Sequence, residues 1–367
     1  MSRRHEDTAS VLELKNITKR VGADLHIHPT SLVFKPGTFN ILLGTTLAGK
    51  TTLMQLMAGL EKPSLGEVWF GGVNVTGVPV QKRNVSMVYQ QFINYPNMSV
   101  FDNIASPLRV GRVDAGEIKR RVGAMAELMR ISAMLDRRPS ELSGGQQQRT
   151  AMARALVKQS DLILLDEPLA NLDFKLREEM RDELPKLFGE RDCVVVYATT
   201  EPTEALLFGG HTAALHQGRV VDFGPTGEIY RKPASLTGAQ VFSEPPINTV
   251  KAVKSGHIIS AGGALSWVAP EDLADGDYTV GIRAHHVTPF ETIGSVPVDG
   301  TIKIAELSGS ESMIHFDAFG GDWVSLSHGV HPFEAGAKAT LYADMASCFY
   351  FAPDGSLVRS GEAAGGR

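Results

Sequence analysis

Residues 39–60 read FNILLGTTLAGKTTLMQLMAGL. A strand-like run, Phe39 to Leu43, passes directly into Gly44-Thr45-Thr46-Leu47-Ala48-Gly49-Lys50-Thr51, and the apolar residues that follow recur at helical spacing. The octet satisfies GxxxxGK[ST] in the strand–loop–helix setting that this pattern needs. Backbone N–H groups and a helix N-terminus then face an anion, the lysine reaches the outer phosphates, and the hydroxyl meets a divalent cation. Gly44, Thr45, Thr46, Leu47, Ala48, Gly49, Lys50, Thr51 and Thr52 are therefore the expected phosphate-binding residues, with Thr51 as a Mg2+ ligand.

Two further stretches extend this reading. LILLDEP ends a strand-like run in Asp166 and Glu167. In a sheet that carries a phosphate loop, the first carboxylate suits Mg2+ binding and the second is placed to orient or deprotonate an attacking water. Leu142-Ser143-Gly144-Gly145-Gln146 then stands directly before the helical pattern AMARALV. Its two glycines allow close backbone approach to a ligand, and Ser143 is a natural helix N-cap, so Ser143 to Gln146 read as a second phosphate-facing element.

With these motifs the chain resembles the ATP-binding cassette superfamily, and within it the ATP-binding subunits of carbohydrate and polyol importers, maltose- or glycerol-phosphate-like, that carry an extra C-terminal β domain. The resemblance covers about residues 11 to 358, and the LSGGQ element separates this family from kinases and GTPases that share only the phosphate loop. It implies an α/β P-loop NTPase core with a helical subdomain, followed by an all-β, OB-like regulatory domain. It further implies that Gln90 in MVYQQF senses Mg2+ and the membrane partner, and that Ala170 to Asp173 (ANLD) cross to a dimer mate. ATP would be sandwiched between one subunit's phosphate loop and the other's LSGGQ. GIRAHHV and LSGSESMIHF look like landmarks of the regulatory domain.

The implied partners are two membrane permease subunits, a second ATPase subunit and, indirectly, a solute-binding protein, at the cytoplasmic face of a bacterial inner membrane. Phe92, Ile93, Tyr95 and Pro96 are the expected contacts for the permease. QQFINYP together with YATTEPTEA looks most like the ATPases of glycerol-type importers.

Three positions depart from the family pattern, all in one half-site. Val21 stands where an aromatic ring normally stacks on adenine, Leu47 where the phosphate loop has a glycine, and Thr200 where YxTHDxxEA carries histidine. A lost base stack costs about 1 to 3 kcal/mol. A branched residue in a left-handed conformation costs roughly 1 to 2 kcal/mol, and one missing transition-state donor costs ~10² to 10³ in rate. Because Glu167 is retained, slow rather than absent hydrolysis is expected here. The intact Ser143–Gln146 element would complete a second, non-identical ATPase. The alternatives are a nucleotide-holding regulatory subunit with little turnover and a cassette ATPase outside transport.

The remaining chain organises around these elements. Strand and helix alternate from residue 11 to 241, the mark of a parallel sheet covered by helices, interrupted at about 91–141 by a helical insert. After a linker at 242–248, short β-prone runs between glycines over 249–358 suggest a small barrel. Residues 1–10 and 359–367 read as unordered tails.

Across 367 residues, the net charge of −5 argues against a nucleic-acid backbone as partner, and long arms or basic extensions of a DNA- or ribosome-acting cassette are not apparent. No run approaches the ~18 to 20 apolar residues of a membrane span. Cys193 and Cys348 read as buried thiols, His26, His28, His285 and His286 as surface or capping histidines, and Met125, Met129 and Met134 as insert core. Arg177 to Glu183 (REEMRDE) mixes signs at helical spacing and reads as a solvated face.

Overall fold

The computed structural model describes residues 11–361 except 92, 171, 190 and 264. The expected tail at 1–10 and residues 362–367 of the expected tail at 359–367, together with Phe92 and Asn171, lie outside the described residues, whereas Arg359 is not tail but pairs with Tyr350 in a strand ladder. The chain forms two compact units, Met1–Thr226 and Gly227–Arg367.

In the first unit, β1 (Leu12–Val21), β2 (Asp24–Phe34), β4 (Leu65–Phe70) and β5 (Val73–Asn74) make an antiparallel sheet in the order β2-β1-β4-β5. A six-stranded sheet follows the order β10-β9-β3-β8-β7-β6, using β3 (Phe39–Leu43), β6 (Val85–Val88), β7 (Leu162–Asp166), β8 (Val194–Thr199), β9 (His211–His216) and β10 (Arg219–Pro225). Its first five strands in chain order are mutually parallel, and β10 adds antiparallel at the edge. Every residue of β3, β7 and β8 is buried, which is why these strands read as unbroken apolar runs.

Helix α1 (Lys50–Ala58) is buried through Leu53, Met54, Leu56, Met57 and Ala58, which share one core with Leu12, Ile27 and Phe34 of the antiparallel sheet. The insert is helical as expected: α2 (Val100–Val110) and α3 (Ala115–Leu128) pack on each other and on α4 (Gly144–Val157). Met125 and Met129 lie in its core, whereas Met134 is only partly buried. Two further helices, α5 (Phe174–Gly189) and α6 (Pro202–Phe208), flank β8 in sequence.

The second unit begins at the second residue of α7 (Thr226–Arg231) and continues into α8 (Leu236–Val241). The sequence reading placed residues 227–241 at the end of the first domain, but backbone pairing ties them to the second. Leu236 N donates to Gly355 O at 2.8 Å and Leu357 N to Ala234 O at 3.1 Å, and Ala239 shares a small core with Ile247, Phe349 and Phe351.

Two antiparallel sheets follow. One pairs β11 (Asn248–Ser255), β12 (Ile258–Ala261), β13 (Leu265–Val268), β14 (Gly276–Ile282), β20 (Phe349–Phe351) and β21 (Leu357–Arg359). The other joins β15 (Val287–Thr288), β16 (Ser295–Leu307), β17 (Glu311–Ala318), β18 (Gly321–His328) and β19 (Lys338–Asp344). Burial alternates along β11 and β17, so each sheet turns one face inward. Ile259, Val280, Phe316, Trp323 and Tyr350 meet in one core, giving a strand-rich, partly barrel-like, OB-like unit. Both cysteines are free and buried.

Candidate active site

The site lies at the carboxyl ends of the parallel strands, where open α/β sheets receive ligands. Register places Leu43 beside Thr199 and Asp166 beside Ala198, so the phosphate loop, the acidic pair and the segment after β8 leave the sheet together. Gly44 N donates to Thr199 O at 3.3 Å and Glu167 N to Ala198 O at 3.0 Å, which locks these three exits.

Lys50 is only 5% exposed. Its Nζ donates to Gly44 O at 2.8 Å and Thr45 O at 3.1 Å, and lies 3.2 Å from Glu167 Oε1. Gln90 Nε2 donates to Glu167 Oε2 at 2.9 Å, so both carboxylate oxygens of Glu167 are engaged. Behind them the Thr51 hydroxyl donates to Asp166 Oδ2 at 2.7 Å. Burial pushes the Asp166 carboxyl above its usual range, opposed by the Thr51 hydrogen bond. A cleft of about 490 Å³ runs over these groups, walled by Thr46 to Thr52, Gln90 and Glu167 together with Leu25, His26, Gln217 and Gly218.

The loop carries backbone strain. Leu47 has φ 67° and Glu167 φ 46°, both left-handed, and Gly49 has φ 104°. A Cβ on Gly49 would lie 2.9 Å from Ile27 Cδ1, the movable end of a side chain, so it is the backbone conformation that favours glycine there. At Leu47 the side chain is 95% exposed and offsets the strain with no packing. Leu47→Gly should gain about 1 kcal/mol or less, the relief of left-handed strain minus glycine's extra unfolded entropy. Thermal denaturation should show a rise of about 2 °C, and a fall would contradict the strain argument.

Other expected residues lie apart from this cleft. Ser143 caps α4: its Oγ accepts from Gln146 N at 3.4 Å, and Gln146 Oε1 accepts from Ser143 N at 3.0 Å. Asp173 caps α5, its Oδ1 accepting from Leu176 N at 3.0 Å. Val21, half exposed at the end of β1, and Thr200, exposed just past β8, are not among the cleft walls. Gly144 and Gly145 open α4 and also lie outside the cleft.

The segment after Thr200 corrects the reading of REEMRDE as a solvated face. Arg177 Nη1 donates to Glu201 Oε1 at 3.0 Å, and its Nη2 donates to Ala170 O at 3.1 Å. Arg181 Nη2 donates to Glu201 Oε2 at 2.8 Å and to Glu204 Oε1 at 3.4 Å. Glu204 is buried and its Oε2 also accepts from the Tyr197 and Thr199 hydroxyls. Burial, with Glu204 beside it, pushes the Tyr197 phenol well up. The arginines thus reach inward because the buried Glu204 of α6, and the partly buried Glu201 just before it, need cations. Arg181→Met should cost about 3 kcal/mol by leaving Glu204 without its cation, seen as a melting temperature lower by roughly 6 to 12 °C. An unchanged melt would show that Glu204 is held without it.

Ile93, Tyr95 and Pro96 are exposed rather than core. Asn94 Nδ2 donates to Gln147 O at 2.8 Å and the Arg154 guanidinium sits 4.9 Å from the Tyr95 ring centre, which fixes the segment against α4. Among the described residues no helix is long and apolar enough to cross a membrane.

This geometry has close relatives. A family profile described as ABC transporter matches residues 27–170. The trehalose/maltose import ATP-binding protein MalK of Thermococcus litoralis is 34% identical over 93% of this chain and 97% of its own length. The sn-glycerol-3-phosphate import ATP-binding protein UgpC of Yersinia pestis is 34% identical over 94% of this chain and 98% of its own. Among solved structures, a dimeric ATP-binding cassette in a post-hydrolysis state with ADP and Pi bound matches with a TM-score of 0.54 and 28% identity, over 59% of this chain and 98% of that one. A phosphate loop, an acidic strand end and a capped LSGGQ helix on this sheet, with identity sustained across nearly the whole of two import proteins, place the chain in the ABC transporter family, as an ATP-binding ATPase coupled to import.

Proposed function

We propose that this chain energises import of a carbohydrate or polyol (a sugar, glycerol or glycerol 3-phosphate) from the cytoplasmic face of a bacterial inner membrane. It would work with two permease subunits supplied by a solute-binding protein. The observation that carries the reading is the convergence of Lys50, Thr51, Gln90 and Glu167 in one cleft, with Asp166 bonded to Thr51 behind it. The substrate class rests on the full-length likeness to importers named for maltose, trehalose and glycerol phosphate.

The loop N–H groups and Lys50 bind the triphosphate of ATP. Phosphate arriving at Lys50 competes with Glu167 Oε1, which releases that carboxylate oxygen to orient the attacking water. The donor set fits Mg2+: a hydroxyl, a carboxylate and an amide oxygen are hard ligands, and Mg2+ is ordinarily held by one or two carboxylates plus substrate phosphates. Thr51, Asp166 and Gln90 would hold it, and when bound it neutralises charge developing on the phosphates. Thr200 leaves this site without the histidine of its family pattern, which makes its own turnover slow.

The Ser143–Gln146 cap, which is not among the walls of the chain's own cleft, serves a second ATPase subunit. That subunit is non-identical, because the three departures at Val21, Leu47 and Thr200 weaken one half-site while the cap is intact. Exposed Ile93, Tyr95 and Pro96 beside Gln90 form the face that meets the permease. The C-terminal unit is regulatory. Co-purification of the tagged chain with the permease and ATPase encoded beside it, followed by ATP-dependent uptake in vesicles, tests the reading. Failure of sugars, glycerol and glycerol phosphate alike to be taken up would reject it.

A further inference from the structure

In the pairing of β1 with β2, Lys19 faces Ile27 and the next residue, Arg20, faces Leu25, so His26 is an extra residue with no partner on β1. Such a bulge turns a side chain out of the strand's alternation, and bulges gather beside active sites for that reason. The consequence is visible in the cleft: Leu25 and His26, consecutive residues that a regular strand would send to opposite faces, both line it.

The bulge is held from two sides. Gly218, in the β9–β10 turn, donates its N–H to Ala48 O at 2.9 Å, and its carbonyl accepts from His28 N at 2.9 Å. A Cβ on Gly218 would lie 2.2 Å from His26 O, and its φ of 73° also favours glycine, so the turn presses directly on the bulged backbone. One hairpin thereby ties the bulge to the phosphate loop.

We infer that the His26 imidazole is the ring that packs on the nucleoside of the bound nucleotide, with Leu25 beside it. This rests on the ATP-binding reading. Lys50 and the loop N–H groups hold the phosphates, and a triphosphate seated on them leaves its nucleoside to the remaining walls of the same cleft, among them Leu25, His26, Gln217 and Gly218. His26 is the aromatic side chain among those walls and is exposed, as a ring awaiting a planar partner must be. Val21 is not among the residues that wall the cleft, and valine has no ring to stack.

The test is isothermal titration of the full-length chain with MgATP and with magnesium tripolyphosphate, a probe that has the phosphates and lacks the nucleoside. His26→Ala should weaken MgATP about fivefold or more, the low end of base stacking. Tripolyphosphate should change by less than about twofold, and His26→Phe should restore ATP affinity. Unchanged ATP affinity in His26→Ala would overturn the inference. Equal weakening of both ligands would also overturn it, by showing that His26 acts on the loop instead. If the unmodified chain binds tripolyphosphate but not ATP, or neither, it is the ATP-binding reading that fails.

Discussion

Lys50→Ala is expected to lower ATP turnover at this chain's own site about 10³-fold, read in the purified chain without a second ATPase, because one buried ammonium serves both substrate and site. Preorganised cations on transferring phosphoryl groups act in a water-poor setting, where a single donor is worth ~10² to 10³ and a finger-type cation more. Lys50 is 5% exposed, so its charge is screened little by solvent. Alanine would also leave Gly44 O, Thr45 O and Glu167 Oε1 without the donor they now share. Part of the loss will therefore appear as stability, of the order of 1 to 3 kcal/mol. The two effects separate experimentally: phosphate release reads the first and thermal denaturation the second. More than a tenth of the unmodified chain's own turnover in a folded, purified Lys50→Ala protein would remove Lys50 from the phosphate site.

The second large effect is an asymmetry between two changes in the same chain. In the assembled complex, Gly145→Asp should cut ATP-driven uptake by 100-fold or more, whereas Glu167→Gln should cut it by less than about threefold. Gly145 lies in the first turn of α4, where an aspartate suits the helix dipole, so the fold should keep its melting temperature. The same carboxylate would oppose a phosphate bound by the partner ATPase, and like charges a few Å apart near a protein surface repel by several kcal/mol. Glu167, by contrast, works in a site where Thr200 replaces a histidine, so that site is already slow and its loss is small. Vesicles carrying each variant in this subunit alone, assayed for uptake and phosphate release, decide the matter. Loss of uptake in Glu167→Gln as complete as in Gly145→Asp would mean two equivalent sites and would sink the non-identical pairing.

Legibility from sequence followed the range of the interaction. The phosphate loop, the strand ending in Asp166-Glu167 and the α4 cap were readable because each is built from contiguous residues whose backbone and caps interact with near neighbours. The buried parallel strands announced themselves as apolar runs, since both faces of β3, β7 and β8 are covered. The strain at Leu47 could be named from sequence only as a condition. The loop's φ of 67° makes it actual.

Long-range pairing was not readable in the same way. Arg177 and Arg181 carry the charge pattern of a solvated helix face, and only the packing of α5 beside α6 turns them onto Glu201 and the buried Glu204. Residues 227–241 look like a continuation of the first domain until their pairing with residues 355–357 is seen. His26 is exposed, as a surface histidine should be, but its place among the cleft walls was not legible because a bulge is a mismatch between two strands, and neither strand alone contains it.

The sequence by itself determined the family, the α/β core, the phosphate loop and the acidic pair, because local chemistry specifies each of them. The tertiary structure alone decided which residues meet across the cleft: Glu167 with Lys50 and Gln90, and Leu25 and His26 with the loop. The reason is geometric. Strand register, a one-residue bulge and a glycine turn set those distances, and each is a relation between segments far apart in the chain.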